Sequence, residues 1–216
     1  MLKQNAISIM DQLVERYPVL VPLHLELLHV VEAMAEAYRQ GNKIMICGNG
    51  GSAADSLHIV GELLKSFMLR RMLPQELQEK LRKAYGLEAE YYIENLQQAI
   101  PAISLVSETS LFTAYGNDNA PDLVFAQQVL GQGNPGDVLI AISTSGNSVN
   151  VLHAARIAKL LGVSVVSMTG QTGGKLREYS DFLLAVPEQE AYRVQELHLP
   201  IYHAICLALE QELFAL

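Results

Sequence analysis

The chain has 216 residues, half of them apolar, and a formal net charge of -8. That is room for one large α/β domain whose core needs no disulfide, and the acidic balance argues against a nucleic-acid-binding surface. The start of the chain lacks a basic segment followed by an apolar signal core, no uninterrupted run approaches the roughly 20 apolar residues that span a bilayer, and Cys47 and Cys206 sit in apolar runs as buried thiols, so a soluble cytoplasmic protein with no membrane or nucleic-acid partner is expected.

Residues 1 to about 17 and 22 to 40 read as two helices broken at Tyr17-Pro18. Leu23, Leu27, Val30, Val31, Met34 and Ala37 keep helical spacing, and Gly41-Asn42 stops the second helix. This prefix, residues 1–41, suits covering a sheet edge or packing on another subunit. His24 and His29 have no partner at ligand spacing and read as ordinary helix-surface or interface residues. Lys43 to Cys47 has the length and flanks of a buried strand. Gly48, Asn49, Gly50, Gly51 and Ser52 then form a turn that can admit a ligand, and Ala53 onward is helical. His58 and Glu62 lie four residues apart on that helix, so a nitrogen and an oxygen donor share one face.

Met68 to Ile100 reads as an inserted helical pair. Leu73, Leu77 and Leu81 step by four, Gly86 ends that run, and Leu87, Tyr91 and Leu96 mark a second helix. The pair packs over the sheet in the simpler reading and forms a lid in the other. Pro101 to Val106 is a strand, Glu108 to Tyr115 a short helix, Gly116-Asn117-Asp118-Asn119 a polar turn, and Pro121 opens a helix through Leu130. Val138 to Ile142 is continuously apolar, as a strand covered on both faces should be. It runs into Ser143-Thr144-Ser145-Gly146-Asn147-Ser148. A helix from Val149 to Leu161, a strand from Val163 to Met168, a turn through Gly173-Gly174, a short helix, a strand from Phe182 to Val186, and one long helix from Ala191 to Leu216 with Pro200 inside complete the order. Repeated strand–turn–helix units imply an α/β fold: a doubly wound, five-stranded parallel sheet of flavodoxin-like type, in a single domain over residues 1–216. Ligands of such sheets bind outside the strand carboxyl ends, at a switch point.

The serine-rich turn directly precedes a helix, whose start offers free N–H groups and a positive dipole end. Four hydroxyls without added charge suit a phosphate monoester. No Gly-Lys-Ser/Thr follows, so it is not a Walker loop, and the glycine turn is not a dinucleotide fingerprint. On the last helix Gln195 and His203 are eight residues apart, a rotation of about 80° and a rise of about 12 Å. To share one ion with His58 and Glu62, their side chains must lean together, the helix must bend at Pro200, or different subunits must supply the donors. Such a set of two imidazoles, a carboxylate and an amide suits zinc or a similar divalent ion. His153 reads as a packed or exposed helix residue. His198 reads either as a group that orients Gln195 or His203 or as a structural one.

Together CGNGGS, Leu57-His58 with Glu62, the Gly116-Asn117-Asp118 turn, ISTSGNS and QELHLPIYH resemble the sugar isomerase (SIS) domain family, closest to its heptose phosphate isomerases. The resemblance covers Asn42 to Phe67 and Ala102 to Leu213, so the whole chain reads as one SIS domain with a helical extension at residues 1–41 and an insertion at about 68–100. It implies substrate contacts at Asn49, Gly50, Gly51, Ser52, Asn117 and Asp118, and phosphate and sugar contacts at Ser143, Thr144, Ser145 and Ser148. It implies zinc ligands at His58, Glu62, Gln195 and His203, with Glu62 and Gln195 also touching the sugar and Glu62 and His203 the acid/base pair. It implies a homotetramer with sites between subunits. The implied reaction turns sedoheptulose 7-phosphate into D-glycero-D-manno-heptose 7-phosphate by a ketose–aldose shift through an enediol. Three departures bear on this. The insertion replaces a much shorter link, Ser66, next to Lys65, stands where the family commonly has an arginine, and Tyr192 replaces an aspartate before Arg193. Two other readings follow from the resemblance: a non-catalytic scaffold that binds the bacterial replication initiator, and an isomerase or sensor for another sugar phosphate. The scaffold branch lacks the equivalents of Glu62 and His203.

Overall fold

The computed structural model describes residues 1–215. At its centre are β1 (Ile44–Cys47), β2 (Ala102–Ser104), β3 (Val138–Ile142), β4 (Ser164–Thr169) and β5 (Phe182–Ala185). They form one sheet in the order β2-β1-β3-β4-β5, and every neighbouring pair is parallel. That is the flavodoxin-like order expected from the alternating elements. Both faces of β1 and β3 are buried, and alternate residues serve opposite layers. Ile44 and Ile46 pack with Leu27, Val30, Ile205 and Ala208, whereas Met45 and Cys47 pack with Val129, Val151 and Ala155. Covering each such side chain is worth roughly 1.5–3 kcal/mol, which is why continuous apolar runs become central strands.

One helical layer holds α1 (Gln4–Arg16), α2 (His24–Arg39), α3 (Gly51–Leu64) and α9 (Ala191–Phe214). Across the sheet lie α6 (Thr109–Asp118), α7 (Val124–Gln132) and α8 (Val149–Leu160). Pro18–Arg39 is long and apolar enough to cross a membrane by length and composition. Its residues Leu20, Leu27, Val30, Val31 and Met34 are instead buried in the core with α9. Pro200 lies inside α9, which continues through it to Phe214; the proline ring removes one N–H from that helix.

Several boundaries differ from the sequence reading. α3 begins at Gly51, not Ala53. Gly116, Asn117 and Asp118 form the last turn of α6 and not a separate turn, with Asn119 as its C-cap. The insertion does hold two helices, α4 (Gln75–Tyr85) and α5 (Ala89–Asn95), joined by a 3-10 turn. Leu73, however, precedes α4. Pro74 is extended at the cap position, so Leu73 is buried in the lead-in while Leu77 is exposed. No residue of α4 is buried.

The foot of the insertion is held by a buried ionic knot. The Glu210 carboxylate of α9 accepts the N–H groups of Phe67, Met68 and Leu69 at 2.7, 2.7 and 2.8 Å. The Arg71 Nε donates to the same carboxylate at 2.9 Å, and both side chains are 0% exposed. Arg71 also donates to the carbonyls of Leu63 and Glu62 at 2.7 and 3.1 Å. The knot therefore ties the end of α3 to α9.

Candidate active site

β1 and β3 are adjacent, and the chain leaves them to opposite helical layers. The two polar turns thus emerge side by side at the switch point. They are joined directly: the amides of Asn49 and Asn150 exchange reciprocal hydrogen bonds at 2.8 and 2.9 Å. Asn150 was not singled out from the sequence, since only the strand order reveals that it faces Asn49.

The serine loop is built as an ordered cradle. Ser143 Oγ lies 2.8 Å from Ser148 Oγ, and Asn147 N–H donates to Ser145 Oγ at 3.1 Å. Ser148 is the N-cap of α8 and makes no side-chain cap bond. The carbonyl of Thr144 accepts from Gly170 N–H at 2.9 Å. Gly146 has φ +66 and faces the backbone of Gly173 and Gly174 so closely that no Cβ fits. Asn117 and Asp118 bond to each other at 2.9 Å and to no other candidate residue.

α3 and α9 bring the remaining candidates together. His58 Nε2 is 3.4 Å from Glu62 Oε1, as i,i+4 spacing requires. The His58 and His203 rings lie 5.0 Å apart at 82°, and Phe67 covers His203 with centroids 5.6 Å apart. Glu62 is buried, and Lys65 Nζ lies 3.2 Å from its Oε2. A lysine thus supplies a cation at Glu62, although the arginine common at the next position is Ser66. Burial pushes the His203 imidazole below its ordinary range, the nearby His58 adds to this, and Glu62 opposes it. His203 is therefore neutral at pH 7. Its Nε2 is buried and has no hydrogen-bond partner among the described residues.

Gln195 sits at the other end of α3. A Cβ built on Gly51 would lie 2.5 Å from Gln195 Nε2, so the bare glycine lets the amide approach the turn. Gly51→Ala is expected to displace that amide and to lower turnover with little change in stability. Steady-state kinetics beside a thermal melt check this. Within one chain, then, His203 stands against His58, which contacts Glu62, while Gln195 stands against Gly51. Among the described residues no three His, Cys, Asp or Glu side chains group tightly enough to hold a metal ion. The donor chemistry nevertheless fits one: two imidazoles, a carboxylate and an amide, with the His203 Nε2 unpartnered.

The other histidines separate from the site. His24 pairs with Asp11 at 2.9 Å, His29 with Glu26 at 3.6 Å and His153 with Asp122 at 3.5 Å. His198 is 0% exposed and its Nε2 lies 3.3 Å from the Thr169 carbonyl. Burial lowers it to about 4, so it is a neutral core group under β4. Tyr192 is exposed and its hydroxyl accepts from Arg193 Nε at 3.0 Å.

The SIS domain sequence model matches residues 18–103 and 92–170. A phosphoheptose isomerase of Clostridium acetobutylicum is 40% identical over 86% of this chain and 81% of its own length. The structure of a phosphoheptose isomerase from Neisseria gonorrhoeae superposes with a TM-score of 0.71 at 32% identity, covering 95% of this chain and 93% of that one. One from Francisella tularensis gives a TM-score of 0.75 at 28% identity, covering 94% and 95%. Sequence likeness, sheet order and the paired polar turns agree: the chain belongs to the SIS domain family, among the phosphoheptose isomerases.

Proposed function

We propose that the chain converts sedoheptulose 7-phosphate to D-glycero-D-manno-heptose 7-phosphate. The observation that carries this reading is the meeting of α3 and α9, where the His203 ring stands 5.0 Å from His58 and His58 touches Glu62, beside two turns that share a switch point. A ketose–aldose shift needs one group to move a proton between neighbouring carbons and another to move protons between their oxygens. Glu62 takes the proton from C1 of the ketose and returns it to C2. His203, neutral, donates to the carbonyl oxygen at C2 and accepts from the hydroxyl at C1. The serine loop grips the phosphate with Ser143, Thr144, Ser145, Ser148 and the N-terminus of α8. That remote grip sets C1 and C2 between the two groups. Asn49, Gly50, Gly51, Ser52, Asn117 and Asp118 complete the sugar's surroundings.

His58, Glu62, Gln195 and His203 hold a zinc ion in this reading. When bound, zinc supplies Lewis acidity at the carbonyl oxygen. Chelation with verified metal removal is expected to lower activity and added zinc to restore it. Activity unchanged after stripping would remove the metal from the account. The assembly is a homotetramer with sites between subunits. Two features support this: within one chain Gln195 lies against Gly51 while His203 lies against His58, and His203 also walls an open groove of about 490 Å³ with Gln12, Arg16, Phe67 and Pro200.

A panel of C5 to C7 ketose phosphates, followed by NMR, tests the substrate. Conversion of the C7 compound is expected. Activity confined to a shorter sugar would overturn the heptose assignment. Binding to the replication initiator without any turnover would favour a scaffold.

A further inference from the structure

We propose that Tyr202 and Asp55 are positioning residues that hold the His58 imidazole as its Nδ1–H tautomer, with a bare Nε2 turned toward Glu62 and the sugar. Its kinetic consequence rests on the isomerase reading; the tautomer itself does not. His58 is 44% exposed at its side chain, so packing alone does not fix its ring. Tyr202 does touch it. The tyrosine is 2% exposed, its ring stands edge-on to His58 at 5.5 Å and 74°, and its hydroxyl is 3.0 Å from Nδ1. The same hydroxyl lies 3.4 Å from Asp55 Oδ1, long for a hydroxyl donor. Asp55 is three residues before His58 on α3, hence on the same face.

These contacts make a chain of four groups: Asp55, Tyr202, His58 and Glu62. Carboxylates stand at both ends, and, with one ring proton on His58, the tyrosine and the histidine bring one proton each. The two protons must therefore point the same way along the chain. If they point to Glu62, Tyr202 donates to Nδ1, Nε2–H faces Glu62, and Asp55 receives nothing. If they point to Asp55, Tyr202 donates to Asp55 and Nδ1–H donates to Tyr202. Glu62 already has the Lys65 ammonium at 3.2 Å. Asp55 has only Tyr202, and its Oδ2 is buried without a partner among the described residues. Either arrangement places one strong hydrogen bond on an ionised acceptor, and the carboxylate with no other donor gains more from it, so Asp55 takes the proton. The resulting His58 offers an Nε2 lone pair, the form a ligating or accepting imidazole needs.

Heteronuclear NMR on metal-free protein with labelled histidine, at a pH where the imidazoles are neutral, reads the tautomer directly. The chain has six histidines, and loss of one signal in His58→Gln assigns His58. The unsubstituted protein is expected to give the Nδ1–H pattern. Tyr202→Phe keeps the ring and its packing and is expected to give a mixture. Asp55→Leu frees Tyr202 to donate to Nδ1 and is expected to give Nε2–H. In kinetics Tyr202→Phe is expected to lower kcat about 10- to 100-fold with KM unmoved, because the phosphate is held elsewhere. An Nε2–H signal in the unsubstituted protein, an unchanged Nδ1–H signal in Tyr202→Phe, or an unchanged kcat in that variant would overturn the proposal. The NMR needs no substrate, so a protein showing these tautomers but inactive on every sugar phosphate fails the isomerase reading alone.

Discussion

Glu62→Gln is expected to lose isomerisation by roughly 10²- to 10⁴-fold in kcat, the range for a positioned acid/base group, while KM for the sugar phosphate stays near its original value. The reason is a division of labour across the site. Phosphate affinity comes from the loop after β3, and proton transfer comes from α3 and α9. Glutamine keeps the shape and one acceptor of a buried side chain that contacts His58 and Lys65 at 3.4 and 3.2 Å, so the fold should persist. It removes the ability to take a proton from carbon. Zinc content measured on the same sample separates lost proton transfer from lost metal. Turnover at the original rate in a folded Glu62→Gln enzyme would take this carboxylate out of the mechanism.

The second large effect falls on stability. Glu210→Leu is expected to cost at least about 3–5 kcal/mol, because it leaves the Arg71 guanidinium buried and uncompensated. For a chain of this size that is a fall in unfolding midpoint of roughly 6–20 °C. Arg71→Met is expected to cost less. It leaves the carboxylate with three backbone donors, whereas Glu210→Leu strands those three N–H groups as well. Thermal melts of the two variants give the order, and the reverse order would refute it. Acid dependence follows with a definite sign. Burial pushes the Glu210 carboxyl up, but the N–H groups of Phe67, Met68 and Leu69 and the Arg71 side chain outweigh it and leave it below 4.5. A carboxylate depressed on folding contributes its full stability above the unfolded value and loses it as pH falls through the folded one. The unsubstituted protein should therefore lose this contribution only below about pH 4.5, and a Glu210→Gln protein should lack that segment of its acid-unfolding curve. Because Arg71 also holds the carbonyls of Glu62 and Leu63, loss of the knot reaches the active site through the end of α3.

The sheet was legible because its strands are continuous apolar runs, and burial on both faces leaves such runs few alternatives. The two polar turns were legible for the same reason: each follows a strand that could be placed with certainty of type, and strand order then made them neighbours. Helix boundaries were less so. Leu73 has the right spacing for α4, but Pro74 is extended and the helix starts after it. Asn117 and Asp118 are poor helix formers, yet they close α6. Residues that act through tertiary contact could not be read at all. Tyr202 looks like one more aromatic beside His203 until α9 is laid on α3. Arg71 and Glu210 are 139 residues apart in sequence, and nothing local marks either as buried. Asn150 acquires its meaning only from Asn49.

The central claim is that Glu62 and His203 act on one bound sugar whose phosphate sits in the serine loop. A crystal structure of the Glu62→Gln enzyme with sedoheptulose 7-phosphate addresses it most directly. The account predicts the phosphate against Ser143, Ser145 and Ser148, with C1 and C2 between the residue 62 side chain and the His203 imidazole. A sugar whose C1 and C2 lie beyond reach of both groups, in every protomer, would contradict it.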